Sequence, residues 1–262
     1  MANPRIETRL FQEEALAAGA EVELDPARTH YLRSVLRLKP GARLAAFNGR
    51  DGEWLARIEG LARGRCSIRI ESQRRAPAPE PDLWLVFAPV KRARIDSLAE
   101  KATELGCSLL QPVLTRFTAV ARVNCERLAT NVREAADQCG RLSVPEVRAP
   151  LTLGALISGW PAERRLLLCA EAGPARPIAE ALAELAAEAQ AAAAPWAVMT
   201  EPEGGYAQSE LDALRKLPFV TPVGLGPRVL RSETAALAAL ACWQAALGDG
   251  RRRPPDPRPG RG

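Results

Sequence analysis

The fold is decided by the stretch Trp196–Leu247, which reads WAVMTEPEGGYAQSELDALRKLPFVTPVGLGPRVLRSETAALAALACWQAAL. Two apolar runs, Trp196–Thr200 and Phe219–Leu225, are each followed by a glycine-containing loop and then by a helical segment, Ser209–Lys216 and Ser232–Leu247. This alternation predicts parallel strands joined by helices. Because ligands of such sheets bind at the carboxyl ends of the strands, the two loops are the first candidates for a functional site.

The same alternation extends towards the N-terminus and defines one α/β domain over residues 83–248. Residues 95, 98, 99 and 102 are apolar, as expected for one buried face of a helix. We therefore predict a mainly parallel sheet with helices on both faces. Its further strands are Leu83–Pro89, Leu109–Thr115 and Arg165–Ala170, and its further helices are Ala93–Leu105, Arg127–Cys139 and Ile178–Ala192.

Residues 1–75 have short strand signals and form a second predicted domain, a small β-barrel. The strands Arg43–Phe47, Glu53–Ile58 and Arg65–Glu71 are separated by turn residues such as Asn48-Gly49, and one helix is predicted over Ala27–Leu38. Residues 76–82 are a proline-rich linker, since proline fixes φ and excludes helix. Residues 249–262, rich in Pro, Gly and Arg, are predicted to be a disordered basic tail.

Composition excludes several classes of function. No run approaches the roughly 20 apolar residues of a membrane-spanning helix, and the N-terminus lacks a signal-peptide core, so we expect a cytoplasmic protein without membrane contact. Six scattered cysteines and one histidine predict no metal site and argue against a catalytic triad. The glycine-rich fingerprint of a nicotinamide-dependent oxidoreductase is missing. Residues 1–75 carry 14 Lys and Arg against 10 Asp and Glu, which suggests either polyanion binding or solvated surface charge.

The two loops contain residues with and without a structural explanation. Ser232 is the predicted cap of the last helix, and Glu233 in its first turn suits the positive end of the helix dipole. Arg228 and Arg231 face that dipole unfavourably, so they need an anionic partner, either a ligand or a nearby glutamate.

Five strings follow one another along the chain: HYLRSVLRLKPG (His30–Gly41), KATELG (Lys101–Gly106), EAADQCGRLSVPEV (Glu134–Val147), EPEGGY (Glu201–Tyr206) and LGPRVLRSETAALAAL (Leu225–Leu240). Taken in this order, they resemble the RsmE-type family of 16S ribosomal RNA uracil-N3 methyltransferases of the SPOUT superfamily. The resemblance implies a PUA-like β-barrel that binds RNA, a SPOUT-type α/β domain with a C-terminal trefoil knot, a homodimer, and S-adenosyl-L-methionine bound in the knot.

The resemblance also implies roles for individual residues. Gln138 and Arg141 match the family's glutamine and arginine before the Val-Pro pair. Arg231 or Arg141 would stabilise the uracil anion, Glu233 is a candidate base, and Arg228 would bind phosphate. His30, Arg33, Arg37 and Lys39 would contact RNA, the first three from one helix face. The residues expected to hold the cofactor are Cys169, Ala170, Glu171, Glu201, Pro202, Glu203, Gly204, Gly205, Leu225, Gly226, Val229 and Leu230.

Two positions depart from the family pattern. Glu201 stands where the family has glycine, so its side chain is expected to clash in a tight turn or to alter the pocket. Ala207 replaces a serine that would complete a capping box with Glu210. Two alternatives stay open: a related methyltransferase acting on tRNA or on ribose oxygen, and a non-catalytic RNA-binding factor of ribosome assembly.

Overall fold

Two units, each with its own sheet, divide the chain in this computed structural model. The structure describes residues 5–120, 122–170, 175–188 and 190–252, apart from the side chain of Arg92. The first unit, here called the β unit, consists of residues 5–79 together with Ala136–Val144. The second, called the α/β unit, consists of residues 80–135 and 145–252.

The β unit contains a five-stranded sheet with the order β1-β3-β4-β5-β2. All pairs are antiparallel except β1 with β3. Alternate residues point inwards and form an apolar core that includes Leu44, Ile58 and Ile68. The strands are β1 (Arg9–Phe11), β2 (Glu21–Leu24), β3 (Arg43–Phe47), β4 (Glu53–Ala62) and β5 (Arg65–Arg75), so β1 and β2 add to the predicted set and β4 and β5 are longer than predicted.

The helix predicted over Ala27–Leu38 is shorter and changes its winding. Asp25 caps the N-terminus of α1 (Pro26–His30) by accepting from Arg28 N, and a π-helical turn follows over Tyr31–Val35. Arg37 ends the segment with φ +54°, the left-handed conformation that usually selects glycine at a helix C-terminus. The expected common face of His30, Arg33 and Arg37 is therefore wrong, because the α-helical spacing stops before Arg37.

The α/β unit contains an eight-stranded sheet, as far as the chain is described, in which every pair is parallel. The order is β11-β13-β10-β12-β6-β7-β8, and β9 also pairs with β7. The mainly parallel sheet predicted from the sequence is confirmed. Its strands are β6 (Leu83–Phe87), β7 (Leu109–Leu114), β8 (Glu146–Val147), β9 (Leu151–Thr152), β10 (Arg165–Cys169), β11 (Arg176–Pro177), β12 (Trp196–Thr200) and β13 (Val220–Gly224).

Helices connect these strands within two residues of the predicted bounds, apart from the helix predicted over Ile178–Ala192, which ends at Ala187 because Glu188 takes an extended conformation. In α2 the predicted apolar residues Ile95, Leu98, Ala99 and Ala102 are all buried. The short elements β8, β9, α4 and β11 had no counterpart among the predictions. The helices are α2 (Arg92–Glu104), α3 (Cys125–Cys139), α4 (Leu153–Ser158), α5 (Ile178–Ala187), α6 (Gln208–Arg215) and α7 (Ser232–Ala246).

The predicted disordered tail begins with ordered residues. Asp249–Arg251 form a short 3₁₀ turn after α7, and the Asp249 amide donates to Gln244 Oε1 at 3.0 Å. Disorder from residue 249 is therefore wrong for these three residues, because Gln244 satisfies the backbone at the helix end. Residues 253–262 of the predicted tail lie outside the described residues.

Candidate active site

Three parallel strands end side by side at one edge of the α/β sheet. In the strand register Cys169 at the end of β10 lies opposite Thr200 of β12 on one side and Val223 of β13 on the other. The loops after these strands enclose a cavity of about 740 Å³. A cavity at the carboxyl ends of adjacent parallel strands is the usual position of a ligand site in this architecture.

Most of the residues predicted to hold the cofactor line this cavity. Arg228 and Arg231, predicted for RNA contact and catalysis, also line it. The predicted cofactor residues at its wall are Cys169, Ala170, Glu201, Pro202, Glu203, Gly205, Leu225, Gly226, Val229 and Leu230. Sequence motifs more than fifty residues apart thus meet at one site.

Two predicted cofactor residues stand apart. Glu171 lies outside the described residues. Gly204 is not part of the cavity wall; a Cβ atom added there would lie 3.0 Å from Phe117 Cβ and 3.3 Å from Phe117 O. Glycine at this position therefore permits close packing of the loop on Phe117, and a direct ligand contact is not needed to explain it.

Glu201 fits the loop without backbone strain. Among the described non-glycine residues only Arg37 has a positive φ, so residue 201 does not need the conformational freedom of glycine. Its carboxylate lies near Gly205, where a Cβ would be 3.7 Å from Glu201 Oε2. The expected clash in a tight turn is wrong, because the left-handed residue of this loop is Gly205, with φ +71°. The side chain instead becomes part of the cavity wall.

Arg94 is a cavity residue that sequence reasoning missed. From the first turn of α2 its Nη1 contacts Glu203 Oε1, and its Nε lies 3.6 Å from Glu233 Oε1. The guanidinium thus links the loop after β12 to the start of α7. The signal that pointed to Arg231 was present here too, since the first turn of α2 is basic and has no acidic residue to match the helix dipole.

The start of α7 differs from the prediction by one residue. Arg231 takes the N-cap position in an extended conformation, and Ser232 is the first helical residue. The capping role expected for Ser232 is wrong, because Ser232 lies one position inside the helix, and its hydroxyl does not accept a hydrogen bond from the free amides of the first turn. Ser232 Oγ and Glu233 Oε2 are buried and have no hydrogen-bond partner within the described part of the chain. Buried polar atoms of this kind are costly, so a bound ligand is a natural partner for Ser232 at the cavity wall.

The candidate catalytic arginines lie in different units. Arg231 and Arg228 are exposed at the cavity, and neither forms an ion pair with another described residue. Gln138 and Arg141 belong to the β unit, where Arg141 Nη2 donates to Ser143 Oγ at 3.0 Å. The cavity itself therefore provides two arginines whose charge is not neutralised by a described carboxylate.

Burial protects two titratable side chains next to the cavity. Burial, with smaller contributions from the nearby Cys242 and Glu201, raises the pKa of the Cys169 thiol to about 12. Burial likewise raises the pKa of Tyr206 well above its usual value, and its hydroxyl donates to Thr200 O at 3.1 Å. Both groups are protonated at neutral pH, so neither supplies a thiolate or phenolate nucleophile there.

The basic residues predicted to contact RNA lie on the surface of the β unit. His30, Arg33, Arg37 and Lys39 are all exposed. His30 and Arg33 line a second cavity of about 430 Å³, together with Arg63 from the β4–β5 turn. Arg37 and Lys39 lie outside its lining. This groove carries positive charge from two separate segments, a pattern suited to phosphate groups.

No helix in residues 5–120, 122–170, 175–188 and 190–252 is long and apolar enough to cross a membrane. Over the same residues no group of three or more His, Cys, Asp or Glu side chains could hold a metal ion.

Comparison with known proteins gives the family of both units. An RNA methyltransferase domain model matches residues 77–244, and an RNA methyltransferase PUA domain model matches residues 24–71. The PUA-like character expected for the N-terminal part is thereby confirmed. The matched ranges cover the strands that form the first cavity and the basic segment of the β unit.

Named relatives agree with the family models over nearly the whole chain. Ribosomal RNA small subunit methyltransferase E of Rickettsia conorii is 31% identical over 89% of this chain and 93% of its own length. The Synechocystis protein of that name is 34% identical over 87% of this chain and 74% of its own length. The crystal structure of the Neisseria gonorrhoeae protein of that name, bound to S-adenosyl methionine, has a TM-score of 0.78 and 27% identity over 92% of this chain and 98% of that one. The chain therefore belongs to the ribosomal RNA small subunit methyltransferase E family.

Proposed function

We propose that this protein transfers the methyl group of S-adenosyl-L-methionine to N3 of a specific uridine in 16S ribosomal RNA of the small ribosomal subunit. The observation that carries the proposal is the cavity at the ends of β10, β12 and β13, in a chain whose solved relative holds this cofactor. The uracil-N3 specificity follows from the family resemblance of the sequence motifs.

The residues of the cavity fit the cofactor. Three loops supply backbone groups on several sides, with glycine at residues 205, 224 and 226 allowing close approach. The buried Ser232 Oγ offers a polar group that no described residue satisfies. Bound there, S-adenosyl-L-methionine supplies a methyl group activated by a positively charged sulfur.

The chain's own task is to orient the base and to stabilise its anion. Loss of the N3 proton leaves a negative charge on the uracil ring; N3 then bonds to the methyl carbon as the sulfur–carbon bond breaks, leaving S-adenosylhomocysteine. We assign the stabilisation of this charge to Arg231, with Arg141 as the second candidate, because a preorganised cation acts where charge develops. Arg228, exposed beside the cavity, is assigned to a phosphate of the RNA.

Glu233 is the candidate acceptor of the N3 proton. Its Oε1 lies 3.6 Å from the Arg94 guanidinium, whereas Oε2 has no hydrogen-bond partner among described residues. One oxygen is thus held, and the other is buried with no described partner; because Glu233 is not part of the cavity wall, the N3 proton would reach it through one water. Holding this carboxylate in place would then be the role of Arg94.

Three further features belong to the proposal. The α/β unit forms a trefoil knot: β13 pairs between β10 and β11, whereas α7, which follows it, packs on α2, α5 and β12. The protein is a homodimer, which would cover Val229, a cavity residue 83% exposed in the single chain. Because ribosomal RNA is the proposed substrate, the protein acts in the cytoplasm, with the exposed residues His30, Arg33, Arg37 and Lys39 on the RNA.

Methyl transfer from labelled S-adenosyl-L-methionine to small ribosomal subunits lacking the modification tests the proposal. We expect label in 3-methyluridine. Label in tRNA or on ribose would keep the enzyme class and overturn the substrate. If no label is transferred and the cofactor does not bind in a calorimetric titration, the enzyme proposal fails and a non-catalytic RNA-binding factor takes its place.

A further inference from the structure

The segment Ala136–Val144 packs as part of the β unit although it lies far from that unit in sequence. It contains the last turn of α3 and the loop that follows, and it carries Gln138 and Arg141. A loop of this kind needs partners for its backbone carbonyls, because the last four carbonyls of a helix have none within the helix.

Arg9 of β1 donates three hydrogen bonds to carbonyls of this segment. Its Nη1 donates to Ala136 O at 2.8 Å and to Asp137 O at 3.0 Å, and its Nη2 donates to Arg141 O at 2.8 Å. A cation at the C-terminus of a helix is also favoured by the helix dipole. One guanidinium therefore joins the end of α3 to the backbone of the candidate catalytic Arg141.

Glu53 fixes the guanidinium of Arg9. Its Oε2 accepts from Arg9 Nε at 2.7 Å, and the two side chains are only 3% and 7% exposed. The Arg9 guanidinium also lies 4.3 Å from the centre of the Phe47 ring. A buried pair whose hydrogen bonds are satisfied on all sides holds its geometry firmly.

Other contacts of the β unit reach the same segment. Arg75, 3.8 Å from Glu53 Oε2, donates through Nη1 to Gly140 O at 2.7 Å. The Phe11 amide donates to Asp137 Oδ1 at 2.9 Å. The contacts therefore fall on residues 136, 137, 140 and 141, on both sides of Gln138 and up to Arg141.

We propose that Arg9, held by Glu53, is a positioning residue for methyl transfer, because it fixes the backbone from Ala136 to Arg141 and thereby aims Gln138 and Arg141 at the RNA. This inference rests on the proposed function. It assigns to the β unit a part in presenting the reacting base, in addition to binding RNA. The positioning requires arginine, since its planar fork of donors reaches Glu53 and three carbonyls at once, whereas the single ammonium of lysine cannot.

The test compares Arg9→Lys with Arg65→Lys, a matched change at an exposed ion pair of the same unit. For each protein we would measure thermal unfolding, cofactor affinity by calorimetry, and kcat and KM on small ribosomal subunits lacking the modification. Arg9→Lys is expected to lower kcat about tenfold or more, because small misplacements of reacting groups are costly. Cofactor affinity is expected to stay unchanged, since the cavity lies in the α/β unit. Arg65→Lys is expected to match the unchanged protein.

A double-mutant cycle with Arg141→Ala separates positioning from a merely structural role. If Arg9 acts through Arg141, the two changes together cost little more in kcat than Arg141→Ala alone. Full additivity, or an Arg9→Lys kcat equal to that of the unchanged protein, would overturn the inference. Arg75→Ala, which removes the contacts to Gly140 and Glu53 but leaves Arg9 in place, provides a second variant should Arg9→Lys not fold, and the same cycle then applies to it. Failure of the unchanged protein to transfer label would instead overturn the proposed function itself, and this inference with it.

Discussion

Arg231 combines three properties of an anion-stabilising residue. It is exposed at the cavity, it precedes the N-terminus of α7, and it forms no ion pair with another described residue. We predict that Arg231→Ala lowers kcat about 10²–10³-fold, the range typical for loss of one electrostatic donor. Cofactor affinity, measured by calorimetry, should change little. Arg165→Ala, at a surface pair with Glu188, is the control. A normal kcat in Arg231→Ala would contradict this prediction and leave Arg141 as the candidate that stabilises the uracil anion.

Glu201 allows a second prediction at the scale of a single residue. Because its φ is not positive, Glu201→Gly restores the family residue without relieving strain. We expect a loss of stability of up to about 1 kcal/mol, from the greater backbone freedom of glycine in the unfolded chain. The cofactor dissociation constant should stay within about threefold, a free-energy change below about 0.7 kcal/mol. Binding that becomes tenfold tighter in the variant would show that the carboxylate obstructs the cavity.

Residue roles could be predicted where a local rule applies and not where distant groups meet. The arginines at residues 228 and 231 stood out because the helix dipole leaves them without a local explanation. Arg94 obeys the same rule, but its partners Glu203 and Glu233 lie more than one hundred residues away. The N-cap expected at Ser232 lies one position earlier, at Arg231. Residue types favour a helix start near a position, but the backbone geometry decides the exact residue.

At the scale of elements, hydrophobic pattern predicts buried strands better than short ones. The bounds of β3 and β12 agree with the sequence prediction, since β12 is buried throughout and β3 at every residue after Arg43. The two-residue strands β8, β9 and β11 are too short to show a period. In the segment Tyr31–Val35 the pattern predicts a helix, but the residue spacing does not indicate the π-helical winding or the left-handed conformation of Arg37.

The start of α6 provides a prediction for one element. Ala207 is the N-cap residue, and Glu210 Oε2 already accepts from its amide at 3.0 Å, so only the serine half of a capping box is missing. Ala207→Ser should stabilise the protein by about 0.5–1 kcal/mol in urea unfolding. Ala213→Ser, at an exposed position inside the same helix, should instead destabilise the protein by roughly 0.5 kcal/mol or less, because serine has a lower helix propensity than alanine. Equal effects of the two changes would refute the capping argument.

At the scale of the whole molecule, the sequence indicates two kinds of structure. It does not indicate that the segment Ala136–Val144 belongs to the β unit. The change from short strands to alternating strands and helices is a local pattern. The packing of Ala136–Val144 on the β unit depends on hydrogen bonds from Arg9 that span 127 to 132 residues. The loops after β12 and β13 could be grouped in advance only because parallel strands end at one edge of a sheet.

The buried thiol of Cys169 is expected to make the folded protein less stable at high pH. In the folded protein burial raises its pKa from 9.0 to about 12, whereas the unfolded chain exposes it with an ordinary pKa. Between pH 9 and 12 the thiol loses its proton in the unfolded chain but keeps it in the folded protein. The free energy of unfolding is therefore unaffected by this thiol below pH 9 and falls as the pH rises from 9 towards 12. At pH 10.5 the loss from this thiol is about 2 kcal/mol.

Urea unfolding at pH 7, 9 and 10.5 measures this loss, with Cys169→Ala compared with Cys242→Ala. The unchanged protein should lose stability above pH 9, and Cys169→Ala should lose less, although the cavity it leaves lowers its stability at pH 7. Cys242→Ala removes a neighbour of the same thiol and should keep most of the pH dependence, because burial is the largest cause of the raised pKa of Cys169. A slope that is the same in all three proteins would show that this thiol is already accessible to water in the folded state.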